Sequence, residues 1–265
     1  MARPEEHAAL DRFLGLLARA PGRVLLLDYD GTLAPFRVER DRAEPYDGVR
    51  EAVQGILAAG HTRVVVISGR TVADLRRLLG VEPPPELWGT HGWERLERGG
   101  PHRVRDVPAA AAASLVLARA LTVHAERIEV KPASIAVHVR GLAPAEAERT
   151  LAAARAVWKP LAAGAVLELH AFDGGLELRV PGWNKGDAVS AVLADEPTGT
   201  AVAYLGDDLT DEDAFAVLDE LASAGRVGAL SVLVRPEHRS SRAAAWLRPP
   251  DELMTFLQRW DRAAR

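Results

Sequence analysis

The chain contains no cysteine. A disulfide scaffold and thiol chemistry are therefore excluded, and the absence suits a cytoplasmic protein. An excess of basic residues is lacking too: 33 Lys and Arg stand against 37 Asp and Glu, a formal charge of -4. Nucleic-acid binding, which usually calls for a basic patch, is not expected. No window approaches the roughly 18 consecutive apolar residues of a membrane helix, so no membrane partner is expected either. The first 22 residues, "MARPEEHAALDRFLGLLARAPG", have neither the basic start nor the long apolar region of a signal peptide. There is no internal repeat and no low-complexity tail. What is present is 265 residues, 48% of them hydrophobic, enough for one large domain or two modest ones.

Short apolar runs stop at polar or glycine-rich turns: "VLLLD" at 24–28, "VVVIS" at 64–68, "VAYLGDD" at 202–208 and "LSVLV" at 230–234, with "ELWG" at 86–89 weaker. Runs without alternation suit strands buried on both faces. Helical patterns lie between them at 47–60, 71–80 and 211–225. Strand alternating with helix predicts a doubly wound α/β core, a parallel sheet with helices on both faces. The middle differs. It reads as a helix over 108–121, two strand pieces in 128–140, an amphipathic helix over 143–159 and a hairpin over 165–180 turning at Asp173-Gly174-Gly175. That is an α+β pattern with an antiparallel sheet. The expected domains are a core of 1–103 and 183–265 and an inserted unit of 104–182; one continuous mixed sheet is the alternative.

Ligands of open parallel sheets bind beyond the carboxyl ends of the strands. Asp28 closes the first run and Asp30 follows two residues on, before Gly31 and Thr32. Two carboxylates this close call for a cation or a proton between them. "ISGR" places Ser68 and Gly69 at the second strand end; "LGDDLTDED" places Asp207, Asp208 and Asp211 at another; "GWNKG" supplies Lys185 at a helix start. Oxygen-rich carboxylate sites select hard cations such as Mg²⁺, and a lysine with loop N–H groups suits a phosphoryl group. Singly, each element has a plainer reading: a solvated Asp-x-Asp turn, a surface lysine, acids favoured at a helix start. Their joint occurrence, each at a strand end, favours a site.

These residues resemble the haloacid dehalogenase superfamily of phosphotransferases. "LLLDYDGT", "VVVISGR", Lys185 and "YLGDDLTDED" are similar to its four motifs in order. "LDYDGTLAPF", "GTHGWE", "IEVKPASIAVHVR", "LELRV" and the closing "AAWLRPPDELMTFLQRW" narrow the resemblance to trehalose-6-phosphate phosphatases. One departure is the connection "LRVPGWNKG", where Val180 intervenes and the path to Lys185 is short.

The resemblance implies a cytoplasmic, Mg²⁺-dependent phosphatase of the C2B-capped type, hydrolysing trehalose 6-phosphate through an aspartyl-phosphate. Asp28 is then the nucleophile and Asp30 the general acid and base. The cation is held by Asp28, the Asp30 carbonyl and Asp207, with Asp208 or Asp211 ordering its waters. Thr32, Ser68, Gly69 and Lys185 hold the phosphoryl oxygens. The inserted unit is the cap. Lys131, His138, Arg140 and Glu177 from it, with His91, Gly92 and Glu94 of the core, contact the sugar. Plainer readings stand beside these: His138 as a packed residue, Arg140 as solvated, Glu177 paired with Arg179 on one strand face. A free-standing monomer without a synthase domain is expected, taking a small sugar phosphate. The alternatives are a phosphatase for sucrose phosphate, glucosylglycerol phosphate or mannosyl-3-phosphoglycerate, and a non-catalytic sugar-phosphate sensor.

Overall fold

The computed structural model describes residues 4–122, 125–172 and 174–265. Asp173, in the expected hairpin turn, lies outside them. The chain forms α1 (Pro4–Leu17), β1 (Arg23–Leu27), α2 (Val49–Ala59), β2 (Arg63–Ile67), α3 (Val72–Leu79), β3 (Glu86–Gly89), β4 (Glu94–Leu96) and β5 (His102–Val104). There follow α4 (Ala109–Leu121), β6 (Ile128–Lys131), β7 (Ser134–His138), α5 (Pro144–Ala162), β8 (Glu168–Phe172) and β9 (Gly175–Arg179). Finally come α6 (Lys185–Leu193), β10 (Thr200–Gly206), α7 (Glu212–Ser223), β11 (Val227–Val234), β12 (Ala245–Leu247) and α8 (Asp251–Ala264). Two compact units result, Met1–His102 with Asn184–Arg265 and Arg103–Trp183.

In the first unit the sheet order is β12-β11-β10-β1-β2-β3-β4. β1 pairs in parallel with both β10 and β2. From β1 the chain winds outward to β3, then returns to the other side of β1 at β10 and winds outward to β12. The switch point therefore falls between β1 and β10, where such sheets open a crevice. The apolar runs are buried as continuous runs should be: Val24 through Leu27, Val64 through Ile67 and Ala201 through Leu205 are sequestered. Leu25, Leu27, Val64, Val66, Ala203 and Leu205 join one cluster with residues of α1, α2, α3 and α8. On the opposite face Tyr204 meets Phe215 of α7 edge to face, ring centroids 5.7 Å apart. The sheet is not wholly parallel, because β4 turns back antiparallel to β3. Thr90 and His91 take left-handed φ values of 49° and 54° there and reverse the chain.

The second unit is a four-stranded antiparallel sheet, β6-β7-β9-β8. Register separates its faces. Ile128, Val130, Ile135, Val137, Leu169, Leu176 and Leu178 alternate onto one side, the side of α4 and α5. Glu129, Lys131, Ser134, His138, His170, Glu177 and Arg179 occupy the other. Val180, where the connection departs from the family pattern, continues the ladder by donating its N–H to the Ala133 carbonyl at 2.9 Å. Three residues later the Trp183 ring carries the Arg105 guanidinium 3.4 Å from its centroid, within this same unit.

Candidate active site

Asp28 extends β1 by one step, its N–H donating to the Leu205 carbonyl at 2.9 Å, which sets it beside the end of β10. Gly31 then turns with φ 84°, and a Cβ there would overlap the Asp207 carboxylate. Only glycine lets the β1 and β10 loops come this close. Asp28, Asp207 and Asp211 thus converge: one carboxylate oxygen of each lies within 4.8 Å of the others, and all three residues are buried.

Lys185, the first residue of α6, enters this group. Asn184 and Asp187 form a capping box that fixes the helix start. Its Nζ donates to Asp28 Oδ1 at 2.8 Å and to Asp211 Oδ1 at 2.7 Å. Burial opposes an ammonium, and so does a helix N-terminus. The charges and hydrogen bonds of Asp211 and Asp28 outweigh burial and hold the Lys185 pKa above its ordinary value. A lysine placed against both tendencies has its partners, not its position, as the reason it stays charged.

The acids feel the opposite balance. Burial first, then the charges of Asp211 and Asp30, push Asp28 up to about 7, although Lys185 pulls it down. Burial, then Asp28 and Asp211, raise Asp207 well above the carboxylate range. Neither buried oxygen of Asp207 accepts a hydrogen bond among the described residues, and the buried Thr32 Oγ1 is likewise without a partner there. Buried aspartate oxygens that accept no hydrogen bond and face another aspartate are the donor set of a hard cation, so the residues fit Mg²⁺.

Asp211 differs from its neighbours. Its Oδ1 accepts from Lys185 and from the Tyr204 hydroxyl at 2.6 Å; its Oδ2 accepts the N–H groups of Asp207 at 3.0 Å and Asp208 at 2.9 Å. It braces the loop. Asp208, half-buried, accepts the Leu209 N–H at 2.7 Å and caps the short helical turn 209–211.

Asp30 is held otherwise. Its two oxygens accept from Arg70 Nε and Nη2, both at 2.6 Å, and the guanidinium lies 5.5 Å from the Tyr29 ring centroid. Ser68 is buried; its Oγ accepts the Arg70 N–H at 3.3 Å and its carbonyl accepts the His91 N–H at 2.9 Å. A Cβ on Gly69 would come within 2.8 Å of the His91 ring, so these two predicted residues are in intimate contact. Gly92 is buried in the same turn. Both Glu94 oxygens have partners: Oε1 accepts from Thr90 Oγ1 at 2.6 Å, while Oε2 accepts the Val72 N–H at 3.4 Å and lies 3.2 Å from His102 Nε2.

The second unit collects Lys131, His138 and Glu177 on its polar face. Lys131 Nζ donates to Glu177 Oε1 at 2.9 Å and lies 3.2 Å from Glu129 Oε2. Ser134 Oγ donates to Glu177 Oε1 at 2.7 Å, and His138 Nε2 is 3.2 Å from Glu129 Oε2. Glu177 is thus engaged with Lys131 and Ser134. Arg140 lies beyond β7, its side chain packed over Gly174.

Sequence reasoning assigned no part to Arg70, Tyr204, Glu129, Arg235 or Arg239. Tyr204 had a signal, since a tyrosine inside a buried parallel strand needs a partner for its hydroxyl. Arg70 stood in the quoted "ISGR" but its partner is 40 residues away.

A sheet that reverses its winding beside β1, with acids, a lysine and a hydroxyl gathered at the strand ends, defines a haloacid dehalogenase-like fold. A haloacid dehalogenase-like hydrolase from Bacteroides thetaiotaomicron superposes with a TM-score of 0.64 at 15% identity, over 90% of this chain and 99% of that one. The sequence model of the family described as "Trehalose-phosphatase" matches residues 26–250, and the chain belongs to that family. The trehalose-phosphate phosphatase of Mycobacterium leprae is 32% identical over 271 residues, covering 94% of this chain. The chain spans 59% of that relative's length. The C-terminal domain of Candida albicans trehalose-6-phosphate phosphatase has the same fold, with a TM-score of 0.79 at 23% identity and 96% of each chain covered.

Proposed function

We propose that the chain hydrolyses trehalose 6-phosphate to trehalose and phosphate. The observation that carries this reading is Asp28, buried between Lys185 and an Asp207 carboxylate that accepts no hydrogen bond among the described residues, in a chain of the trehalose-phosphatase family. An Asp28 oxygen attacks phosphorus as the bond to the sugar oxygen breaks, leaving an aspartyl-phosphate. Asp30 gives its proton to the departing sugar oxygen. It then takes a proton from the water that attacks the same phosphorus; the bond to Asp28 breaks and phosphate leaves. Arg70 fixes the plane of the Asp30 carboxylate during both transfers. Mg²⁺, held by Asp28, Asp207 and the Asp30 carbonyl, supplies charge neutralisation for the phosphoryl oxygens when bound. Thr32 and Ser68 offer hydroxyls and Lys185 its ammonium to those oxygens. Asp211 and Asp208 hold the loop that carries Asp207. Lys131, His138, Arg140, Glu177, His91, Gly92 and Glu94 remain assigned to the sugar, those of the second unit through the donors and acceptors of its polar sheet face.

The test is phosphate release from purified protein with trehalose 6-phosphate, sucrose phosphate, glucosylglycerol phosphate and mannosyl-3-phosphoglycerate. The expected result is the highest kcat/KM for trehalose 6-phosphate, abolished by EDTA. A markedly higher value for another member of that panel overturns the substrate, and full activity in EDTA overturns the cation.

A further inference from the structure

Asp207 raises a mechanical question. A buried carboxylate normally owes its direction to hydrogen bonds on its own oxygens, and Asp207 has none among the described residues. Its aim must come from the backbone. The backbone of 207–208 is pinned from two sides. Inward, the N–H groups of both residues donate to Asp211 Oδ2. Outward, both carbonyls accept from a single guanidinium: Arg239 Nε donates to the Asp207 carbonyl at 3.2 Å and Nη2 to the Asp208 carbonyl at 2.8 Å.

Arg239 is itself fixed. Its Nη1 donates to Glu212 Oε1 at 2.5 Å and to the Ser240 carbonyl at 2.8 Å. Glu212 accepts the Arg242 N–H at 3.0 Å on its other oxygen. Burial would raise the Glu212 pKa, but hydrogen bonds from Arg242, Ser241 and Arg239 outweigh it and keep the carboxyl below its ordinary range. Arg235 adds a second donor to the Asp207 carbonyl at 3.3 Å, with its Nη1 4.0 Å from Asp207 Oδ2. Peptide donors and acceptors on either side of Asp207 are therefore both taken, the first by a side chain of the same loop and the second by the segment after β11.

We infer that Arg239 is a positioning residue for cation binding, aiming the Asp207 carboxylate through its backbone by clamping the 207 and 208 carbonyls. The inference rests on the reading that a divalent cation is held by Asp28 and Asp207. Geometry makes arginine the required residue: four hydrogen bonds fan out from one planar fork, which a lysine ammonium cannot reproduce. Groups one step removed from a metal typically change its affinity by 10- to 100-fold when lost.

The experiment is calorimetric titration of EDTA-stripped protein with Mg²⁺. Arg239→Ala and Arg239→Lys are expected to bind Mg²⁺ about 10- to 100-fold more weakly than the parent. Glu212→Gln, which loosens the guanidinium, is expected to shift affinity the same way by about threefold or more. Arg76→Ala, removing an exposed ion pair with Glu82, serves as the control and is expected to bind as the parent does. At saturating Mg²⁺ the Arg239→Lys variant should keep its KM for the sugar phosphate within about threefold, separating cation placement from a general loss of structure. A folded Arg239→Lys protein with parental Mg²⁺ affinity overturns the inference. Should Arg239→Ala fail to fold, Arg239→Lys and Glu212→Gln decide the matter by the same titration. A parent protein that binds no Mg²⁺ overturns the cation reading itself, and this inference with it, an outcome distinct from parental affinity in the variants.

Discussion

The two units treat buried charge in opposite ways. At the strand ends of the first, Asp28, Asp207 and Asp211 converge; Lys185 bonds Asp28 and Asp211, and Arg235 Nη1 lies 4.0 Å from Asp207. Burial first, and then the neighbouring carboxylates, raise the pKa of Asp28 and Asp207. On the polar face of the second, Lys131 stands between Glu129 and Glu177; Ser134 shares the Glu177 oxygen that Lys131 contacts, and His138 shares that of Glu129. Lys131, Glu129 and Glu177 each have an oppositely charged partner within the sheet. On the function proposed above, the first cluster would receive a cation and a phosphoryl group, whereas the second would present donors and acceptors in fixed directions. We read the first as chemistry and the second as recognition.

The sharpest break in that comparison comes from Asp28→Asn. It should reduce turnover of trehalose 6-phosphate by at least about 10⁴-fold with the fold intact, checked by phosphate release and circular dichroism. Next, Arg70→Lys keeps the charge beside Asp30 but loses the two-pronged grip. A kcat loss of about 100-fold on the sugar phosphate is expected. The loss on p-nitrophenyl phosphate should be at least about tenfold smaller, because that leaving group departs without a proton. Equal losses on both would show that Arg70 does not act through Asp30. In the second unit, Glu177→Gln should act on binding instead: KM rises about 10-fold or more while kcat moves less, read from steady-state kinetics. A kcat effect matching that of Arg70→Lys would erase the distinction between the units.

The smallest effect concerns stability. The folded-state pKa values of Asp28 and Asp207 lie above those of an unfolded carboxyl. Stability linked to Asp28 is therefore present at low pH and lost as pH rises through about 7, and that linked to Asp207 is likewise present while it is protonated and lost as it ionises. In EDTA, Asp207→Asn should escape part of that loss. Its thermal midpoint should exceed the parent's at pH 8 by an amount corresponding to roughly 1–3 kcal/mol, and show little gain at pH 4. Added Mg²⁺ should close the gap. An Asp207→Asn protein that is less stable than the parent at pH 8 in EDTA would mean that the cluster is not strained by charge.

The outline of the fold was legible because its signals are local. An apolar run such as 64–67 without alternation declares a strand covered on both faces, and the polar residue that ends it declares which end is open. Alternation in 128–138 and 168–179 likewise separates a polar from an apolar face. The antiparallel β4 was missed, since three residues carry too little pattern and its reversal depends on left-handed Thr90 and His91, neither a glycine. Within the site, the residues named from sequence are those at the ends of strong runs. Arg70 meets Asp30 only because β2 lies beside β1, and Arg239 reaches the Asp207 carbonyl from 32 residues downstream. A side chain that recognises backbone carbonyls leaves no residue-type signature, because every residue has a carbonyl.

By itself, the sequence determined which segments are buried, where each stops and which titratable groups stand at the stops, since burial period and turn chemistry are properties of a few adjacent residues. Tertiary structure alone decided that Asp28, Lys185 and Asp211 share hydrogen bonds and that Asp207 has none on its oxygens among the described residues. It also decided that Asp30 answers to Arg70. Charge balance in a buried site is a sum over groups brought from distant parts of the chain, and that sum exists only once the strands have been laid side by side.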